Sequence, residues 1–167
     1  MIGEDIVIEQ FKTGMRHLAG AVNIVTAGAG AQAAGLTATA VCSLSMAPPR
    51  LIACLNRAGA TFAALSQGNA FCVNVLGVEA RALAETFAGR TGLCGTGKFA
   101  DAGWVIEEGL PPRLAGALSA IRCTVHSMQL VGTHAIVVGD VQQVWNHTEA
   151  RPLVYQDQAF QTLCALG

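Results

Sequence analysis

Apolar positions recur along this chain with two different periods. Over residues 4–19, Ile8, Phe11, Met15 and Leu18 stand at helical spacing among Glu, Gln, Lys and Arg, which predicts an amphipathic helix ending at Gly20. Ala21–Thr26 (AVNIVT) is rich in β-formers, Gly28–Gly30 reads as a turn, and a strand from about Gln32 to Ser45 is its expected hairpin partner. Pro48-Pro49 stops that strand, because proline has no N–H to donate to a ladder. Leu51–Leu55 is a short continuous apolar run, as expected of a strand buried on both faces. A turn or two of helix is predicted over Ala60–Gln67, closed by Gly68. A strand follows at Phe71–Leu76, then a second amphipathic helix at Glu79–Ala88, where Leu83 and Phe87 share a face. The Gly- and Pro-rich residues 89–113 are too long for a plain connector and suggest a lid or a subunit contact. Beyond them Ala120–Leu130 alternates, with Ile121, Cys123 and Val125 on one face and Arg122, Thr124 and His126 on the other. The Gly132-Thr133-His134 turn leads into a strand over Ala135–Trp145, and the tail Pro152–Leu163 carries Tyr155 and Phe160.

Strands thus dominate, in about six or seven pieces, with helices as inserts or caps. Regular βαβ alternation is missing, and no G-x-G-x-x-G follows a strand, so a Rossmann domain is excluded. A mainly β chain folded as a small antiparallel barrel with capping helices fits the pattern better.

Composition narrows the picture. With 167 residues, the chain is expected to be one domain over residues 1–167. Apolar residues make up 52% and charged residues 13%, and mean hydropathy is +0.46, yet every apolar run breaks before the ~20 residues of a spanning helix. Glu4, Asp5 and Glu9 stand where a signal peptide would carry basic and apolar regions, so a cytoplasmic location is expected. So oily a chain is expected to hide surface in a second copy, as a homodimer. The net charge of −1 and the lack of a Lys/Arg run argue against nucleic acid. The six cysteines form no C-x-x-C pair and read as small buried hydrophobes in a reducing compartment, with no metal site expected.

The chemistry concentrates between Gly35 and Thr61 (GLTATAVCSLSMAPPRLIACLNRAGAT). Small and hydroxyl residues, Thr37, Ala38, Thr39, Ala40 and Val41, leave peptide groups open to a flat polar heterocycle. Across the Pro-Pro corner, Asn56, Arg57 and Thr61 offer one cation and two polar side chains, a set suited to a phosphate.

Together these segments carry a resemblance. AVNIVT at 21–26, GLTATAVCS at 35–43, PP at 48–49, CLNR at 54–57, CVNVL at 72–76, FAGRTG at 87–92, KF at 98–99, VGTH at 131–134 and PLVY at 152–155 occur in order. In that order they resemble the flavin reductase-like, FMN-binding split-barrel family, above all the small reductase components of two-component flavin monooxygenases. The resemblance implies an antiparallel Greek-key split β-barrel, homodimeric, that reduces FMN or FAD with NADH or NADPH and passes reduced flavin to a separate oxygenase. It implies that Thr37, Ala38, Thr39, Ala40 and Val41, with Ser43, contact the flavin ring and ribityl chain, and that Asn56, Arg57, Ala60 and Thr61 hold the phosphate. Phe87 and Phe99 would pack near the flavin's dimethylbenzene edge. His134 would act near the nicotinamide, with Tyr155 and Phe160 lining the same substrate's site. Two departures stand out. Ala58-Gly59-Ala60 lacks the hydroxyls expected after Asn-Arg, which leaves more phosphate work to Arg57 and backbone N–H groups. Gln156-Asp157-Gln158 is acidic where basic residues are expected.

Hydride transfer between two bound rings needs no protein nucleophile, only positioning and an electrostatic field. The chain accordingly shows no triad and no carboxylate pair. Fold alone also permits a non-catalytic flavin- or haem-binding module, or a flavin-bound reductase of another acceptor such as a cobalt corrinoid or ferric chelate.

Overall fold

The computed structural model describes residues 4–100, 103–147 and 150–165. In chain order the elements are α1 (Glu4–Arg16), β1 (Gly20–Ala21), β2 (Asn23–Ala27), β3 (Ala34–Ala38), β4 (Val41–Met46), β5 (Pro49–Asn56), α2 (Ala60–Gln67) and β6 (Ala70–Val75). They continue with α3 (Arg81–Phe87), β7 (Trp104–Val105), β8 (Arg113–Leu114), β9 (Ser119–Val131), β10 (His134–Asn146), β11 (Leu153–Gln156) and β12 (Ala159–Thr162). The protein is mainly β, with three α-helices. Seven strands form one antiparallel sheet in the order β3-β2-β6-β9-β10-β5-β4. The end strands β3 and β4 are successive in the chain, but no ladder joins them, so the sheet is not closed.

Alternation along the strands builds two cores. Val25, Leu51, Ala53, Leu55, Phe71, Val73, Cys123 and Val137 fill one, with Ala64 and Leu65 of α2 packed among them. Val22, Ile24, Leu76, Ala84, Phe87, Ala120 and Leu153 fill the other, beneath α3 and the β11–β12 hairpin. The strand buried on both faces is therefore β2, all five of whose residues are inside. The Leu51–Leu55 run was expected in that place. Instead it alternates: Leu51, Ala53 and Leu55 point inward, while Ile52 and Cys54 sit half-buried on the opposite face. Apolarity on the outer face of β5 is thus not covered within this chain.

The strand expected from Gln32 to Ser45 is two strands. β3 pairs with β2 and β4 pairs with β5, at opposite ends of the sheet. Thr39 and Ala40 make the crossing between them, through a tight turn in which the Val41 amide donates to the Thr39 carbonyl at 2.9 Å. No run of alternating Thr and Ala reveals such a break, because it follows from which partner each half finds. The Pro-Pro corner does end β4, at Met46, and β5 begins on Pro49.

The end of the 89–113 region is pinned to the sheet. The Thr26 hydroxyl donates to the Pro112 carbonyl at 2.6 Å, and the fully buried Asn74 accepts from the Leu114 amide at 2.8 Å while donating to the Ile24 carbonyl at 3.0 Å. Buried side-chain amides satisfied in this way hold a segment firmly, since breaking them strands polar groups away from water. Residues 89–97 at its start are exposed throughout.

Candidate functional site

β5 carries two parts of the site. At its middle, the Cys54 amide donates to the Ala40 carbonyl at 2.9 Å, which seats the β3–β4 crossing against this strand. At its end, Asn56 closes a turn by accepting the Ala58 amide on its side-chain oxygen at 2.9 Å, and α2 starts four residues later at Ala60. Two residues of strand separate these features, roughly 7 Å at the usual rise.

At the crossing, the amides of Thr39 and Ala40 have no acceptor among the described residues, and both residues are exposed. Small side chains are required here. A Cβ on Gly20 would lie 2.9 Å from the Cβ of Thr39. The neighbouring Ala38 carbonyl accepts from the buried Asn23 side chain at 3.3 Å, and the Thr37 hydroxyl donates to the Ala84 carbonyl at 2.7 Å. Thr37 is thus a tie between β3 and α3, and its hydroxyl is already committed. What the stretch presents to a ligand is backbone.

At the helix end, the amides of Ala60 and Thr61 likewise have no acceptor among the described residues. No side chain caps α2, which begins from Gly59. Unpaired N–H groups at a helix start favour an anion. Arg57 stands at the same turn, its backbone amide donating to the Thr133 carbonyl and its Nη1 to the Gly132 carbonyl, both at 3.0 Å. Asn56 shapes the turn with its carboxamide oxygen, and Thr61 is 2% exposed. Of the four residues expected at a phosphate, Asn56, Arg57 and Ala60 are exposed, and only Thr61 is inside. Asn56 pairs directly across the ladder with His134, whose Nδ1 is 2.8 Å from the Thr133 hydroxyl. The β9–β10 turn and the start of α2 therefore form one polar rim.

Tyr155 and Phe160 lie elsewhere, at the β3 end. Their rings meet edge-on at 5.2 Å, and with Val22, Thr37, Ala38, Thr39, Ala88 and Arg90 they line a cleft of about 190 Å³. Tyr155, Thr39 and Ala40 also border a larger cavity of about 690 Å³ under α1. The expected nicotinamide group is thus split, with His134 at one end of the site and the two aromatics at the other.

Three residues expected at the flavin sit outside these openings. Phe87 is 3% exposed and packs in a triangle with Phe99 and Trp104, ring centroids 5.1 and 5.3 Å away, against the face of Gly35. Phe99 belongs to the same cluster, 4.9 Å from Trp104. Burial of Phe87 against the glycine leaves it no free edge. Ser43, with Val41, lines a mostly apolar hollow of about 370 Å³ between β4 and the middle of the sheet.

Sequence reasoning left several residues unassigned. Arg90 reaches the aromatic pair: its Nη2 is 3.5 Å from the Tyr155 hydroxyl and its guanidinium 5.7 Å from the Phe160 centroid. Its one-dimensional signal is its place in FAGRTG at 87–92, a cation just after the helix-ending Gly89. On the outer sheet face, Arg50 donates to Asp140 at 2.6 Å and His126 adjoins both. The hydrogen bond from Arg50, with His126 adding to it, holds the Asp140 carboxyl below its ordinary pKa. Burial pushes the Cys72 and Cys123 thiols up to about 12, whereas Cys42, Cys94 and Cys164 are exposed. The expectation of uniformly buried cysteines therefore fails for the exposed three, because β4 is an edge strand and the other two lie in loops. All six are free thiols. No group of three or more His, Cys, Asp or Glu side chains is placed to hold a metal among the described residues.

The fold is a mainly β one with an open antiparallel sheet, and the candidate site pairs exposed backbone donors with an anion-ready helix start. Comparison with known proteins makes this specific: residues 15–164 match the flavin reductase-like domain family, and the chain belongs to that family. It is 37% identical over 153 residues to an FMN reductase (NADH) RutF of Klebsiella pneumoniae subsp. pneumoniae, covering 92% of each chain. It is also 37% identical over 153 residues to FMN reductase (NADH) RutF 1 of Methylorubrum extorquens, covering 92% of this chain and 75% of that one. Among solved structures, a putative flavin reductase of Haemophilus somnus superposes with a TM-score of 0.87 at 30% identity, covering 93% of this chain and 99% of that one. BorF, the flavin reductase component of a bacterial two-component tryptophan halogenase, superposes with a TM-score of 0.85 at 26% identity, covering 95% of this chain and 99% of BorF.

Proposed function

We propose that this protein is an NAD(P)H:flavin oxidoreductase that reduces FMN or FAD with NADH, or with NADPH, and supplies the reduced flavin to a separate oxygenase component. The observation that carries the reading is the pairing of open amides at Thr39 and Ala40 with Arg57 and the open amide of Ala60, joined through β5. Similarity to curated FMN reductases (NADH) and to the reductase component of a two-component halogenase supports it.

The residues present fit a flavin nucleotide. Amides at Thr39 and Ala40, with the backbone of Thr37, Ala38 and Val41, would hydrogen-bond the polar edge of the ring. Arg57 and the N–H groups of Ala60 and Thr61 would hold the phosphate, with Asn56 fixing the turn that aims them. Bound flavin would supply the hydride acceptor. His134 stands across the ladder from Asn56. From there it would orient the nicotinamide or hand a proton to the reduced flavin. Tyr155 and Phe160 would pack against the dinucleotide at the other end. Phe87 and Phe99 act from behind, keeping β3 in place.

Residues 1–167 act as one domain. β3 and β4, at the two ends of the sheet, make the lips of a Greek-key split barrel, and the protein works as a homodimer. Ile8, Phe11, Met15 and Leu18 of the N-terminal segment are all exposed, as are Leu44 and Met46 of β4, which gives a second copy apolar surface to cover. Its free thiols suit a reducing compartment, in keeping with the cytoplasm. Among the described residues no helix is long and apolar enough to cross a membrane.

The test is to mix the purified protein with NADH, and separately NADPH, each with FMN, FAD or riboflavin, and to follow the nicotinamide absorbance band. Oxidation that depends on added flavin is expected. Absence of oxidation with every pair refutes the proposal, and turnover without added flavin indicates a retained flavin and another acceptor. Light scattering checks the dimer.

A further inference from the structure

We infer that Arg90 holds the pyrophosphate of the nicotinamide dinucleotide in the cleft between β3, the end of α3 and the β11–β12 hairpin. This rests on the reductase reading above and adds to it an anion subsite distinct from the flavin phosphate position.

Arg90, beyond the end of α3, lies 5.7 Å from the Phe160 centroid and lines the cleft, whereas Arg81, at the start of α3, lies equally far from that ring without lining the cleft. Arg81 is partly answered by Glu85, at 3.4 Å. Arg90 has no carboxylate partner among the described residues. Its side chain makes a single hydrogen bond there, to the Tyr155 hydroxyl at the outer limit of length, 3.5 Å. Most of its five donors are therefore unused.

The cleft itself is built for a charged ligand with a flat part. Arg90 is its one charged lining residue, and Val22, Ala38, Ala88, Tyr155 and Phe160 supply apolar and aromatic wall. The nearest acidic side chain on the hairpin, Asp157, faces the separate cavity under α1, where Lys12 and Arg16 also line the wall. Thr39 borders both spaces, so a molecule in the cleft reaches the open amides proposed for the flavin ring. With Arg57 and the α2 start occupied by the flavin phosphate, the remaining anion of the reaction is the dinucleotide's pyrophosphate. A guanidinium suits it because its planar fork can bond two phosphate oxygens at once.

The experiment uses ADP-ribose, which has the pyrophosphate but no nicotinamide, and titrates it calorimetrically into the wild type, Arg90→Ala and Arg90→Lys. Loss of a charge-assisted contact is expected to weaken ADP-ribose binding roughly tenfold or more in Arg90→Ala, with partial recovery in Arg90→Lys. In steady state with FMN, the rate with NADH relative to that with N-benzyl-1,4-dihydronicotinamide, which has no phosphate, should fall by a similar factor. ADP-ribose binding that is absent in the wild type or unchanged in Arg90→Ala overturns the inference. So does a proportional loss with both reductants, which would make Arg90 a structural stack on Phe160. The titration needs no turnover, so a wild type inactive with every flavin would count against the reductase reading while ADP-ribose still judged Arg90.

Discussion

The Ala40 carbonyl accepts a hydrogen bond from the Cys54 amide at 2.9 Å, and this one contact joins the two halves of the candidate site. On one side of it, the chain has just crossed from the β3 end of the sheet to the β4 end, leaving the Thr39 and Ala40 amides exposed. On the other, β5 runs on for two residues to Asn56, Arg57 and α2. Because the bond is backbone to backbone, substitutions in the surrounding side chains can tune the site without dissolving its frame.

Arg57→Ala should raise the apparent constant for FMN by about ten- to a hundredfold, the range for a lost charge-assisted contact. Riboflavin, which has no phosphate, should be affected by less than about threefold on the same reasoning. Fluorescence titration with both ligands measures the difference. Equal effects would mean that Arg57 serves only the β9–β10 turn through the Gly132 carbonyl.

His134→Ala should slow the reductive half-reaction, or weaken NADH, while FMN binding is retained. Single-turnover kinetics with prebound FMN gives the first quantity, and a flavin titration the second. Loss of flavin instead would show that the contact between His134 and the Thr133 hydroxyl mainly shapes the loop.

Asp140→Asn should lower the melting temperature at pH 7 and make little difference at low pH. The folded carboxyl has a depressed pKa, so its stabilisation is present above the ordinary carboxylate value of about 4 and lost as pH falls through the folded value. Melting curves of both proteins between pH 7 and pH 2, a window set by ordinary carboxylate titration, should therefore converge toward acid. A constant gap across that range would rule out the ion pair with Arg50 as the cause.

Thr37→Val should cost about 1 kcal/mol by removing the 2.7 Å bond to the Ala84 carbonyl, a shift of about 3 °C in melting temperature for a chain of this size. Gly35→Ala should cost more, about 1–3 kcal/mol, because its new Cβ would lie 2.6 Å from Cε1 of the buried Phe87 ring. Denaturant unfolding distinguishes them, and a neutral Gly35→Ala would show that α3 can shift.

Cys42, Cys94 and Cys164 should react with a thiol reagent in the native protein at pH 8, whereas Cys72 and Cys123 should react only after denaturation, their thiols being held near 12 by burial. Mass spectrometry of the labelled peptides reads this directly. A protected Cys42 would identify β4 as a surface covered by the second copy.

Much of the fold is legible from local pattern. Helical spacing places α1 and α3, apolar alternation places β9, and the Pro-Pro corner separates β4 from β5, because side-chain periodicity and proline's missing donor act within a few residues. The motifs around Thr37–Val41 and Asn56–Arg57 also mark out the ends of the candidate site without any coordinates. What one dimension does not contain is who pairs with whom. The expected single strand over 32–45 broke at Thr39-Ala40 because β3 and β4 find partners at opposite ends of the sheet.

The same distinction separates the residues. Side-chain periodicity pointed to a mainly β chain, and the order of its motifs carried the resemblance to the flavin reductase-like family that the family match then showed. Tertiary structure alone decided that the Thr37 hydroxyl is spent on α3, that Phe87 is buried against Gly35, and that Arg81 and Arg90 each lie 5.7 Å from the Phe160 centroid. Those relationships join residues up to 79 positions apart, as from Arg81 to Phe160, and exist only because folding closes the intervening chain.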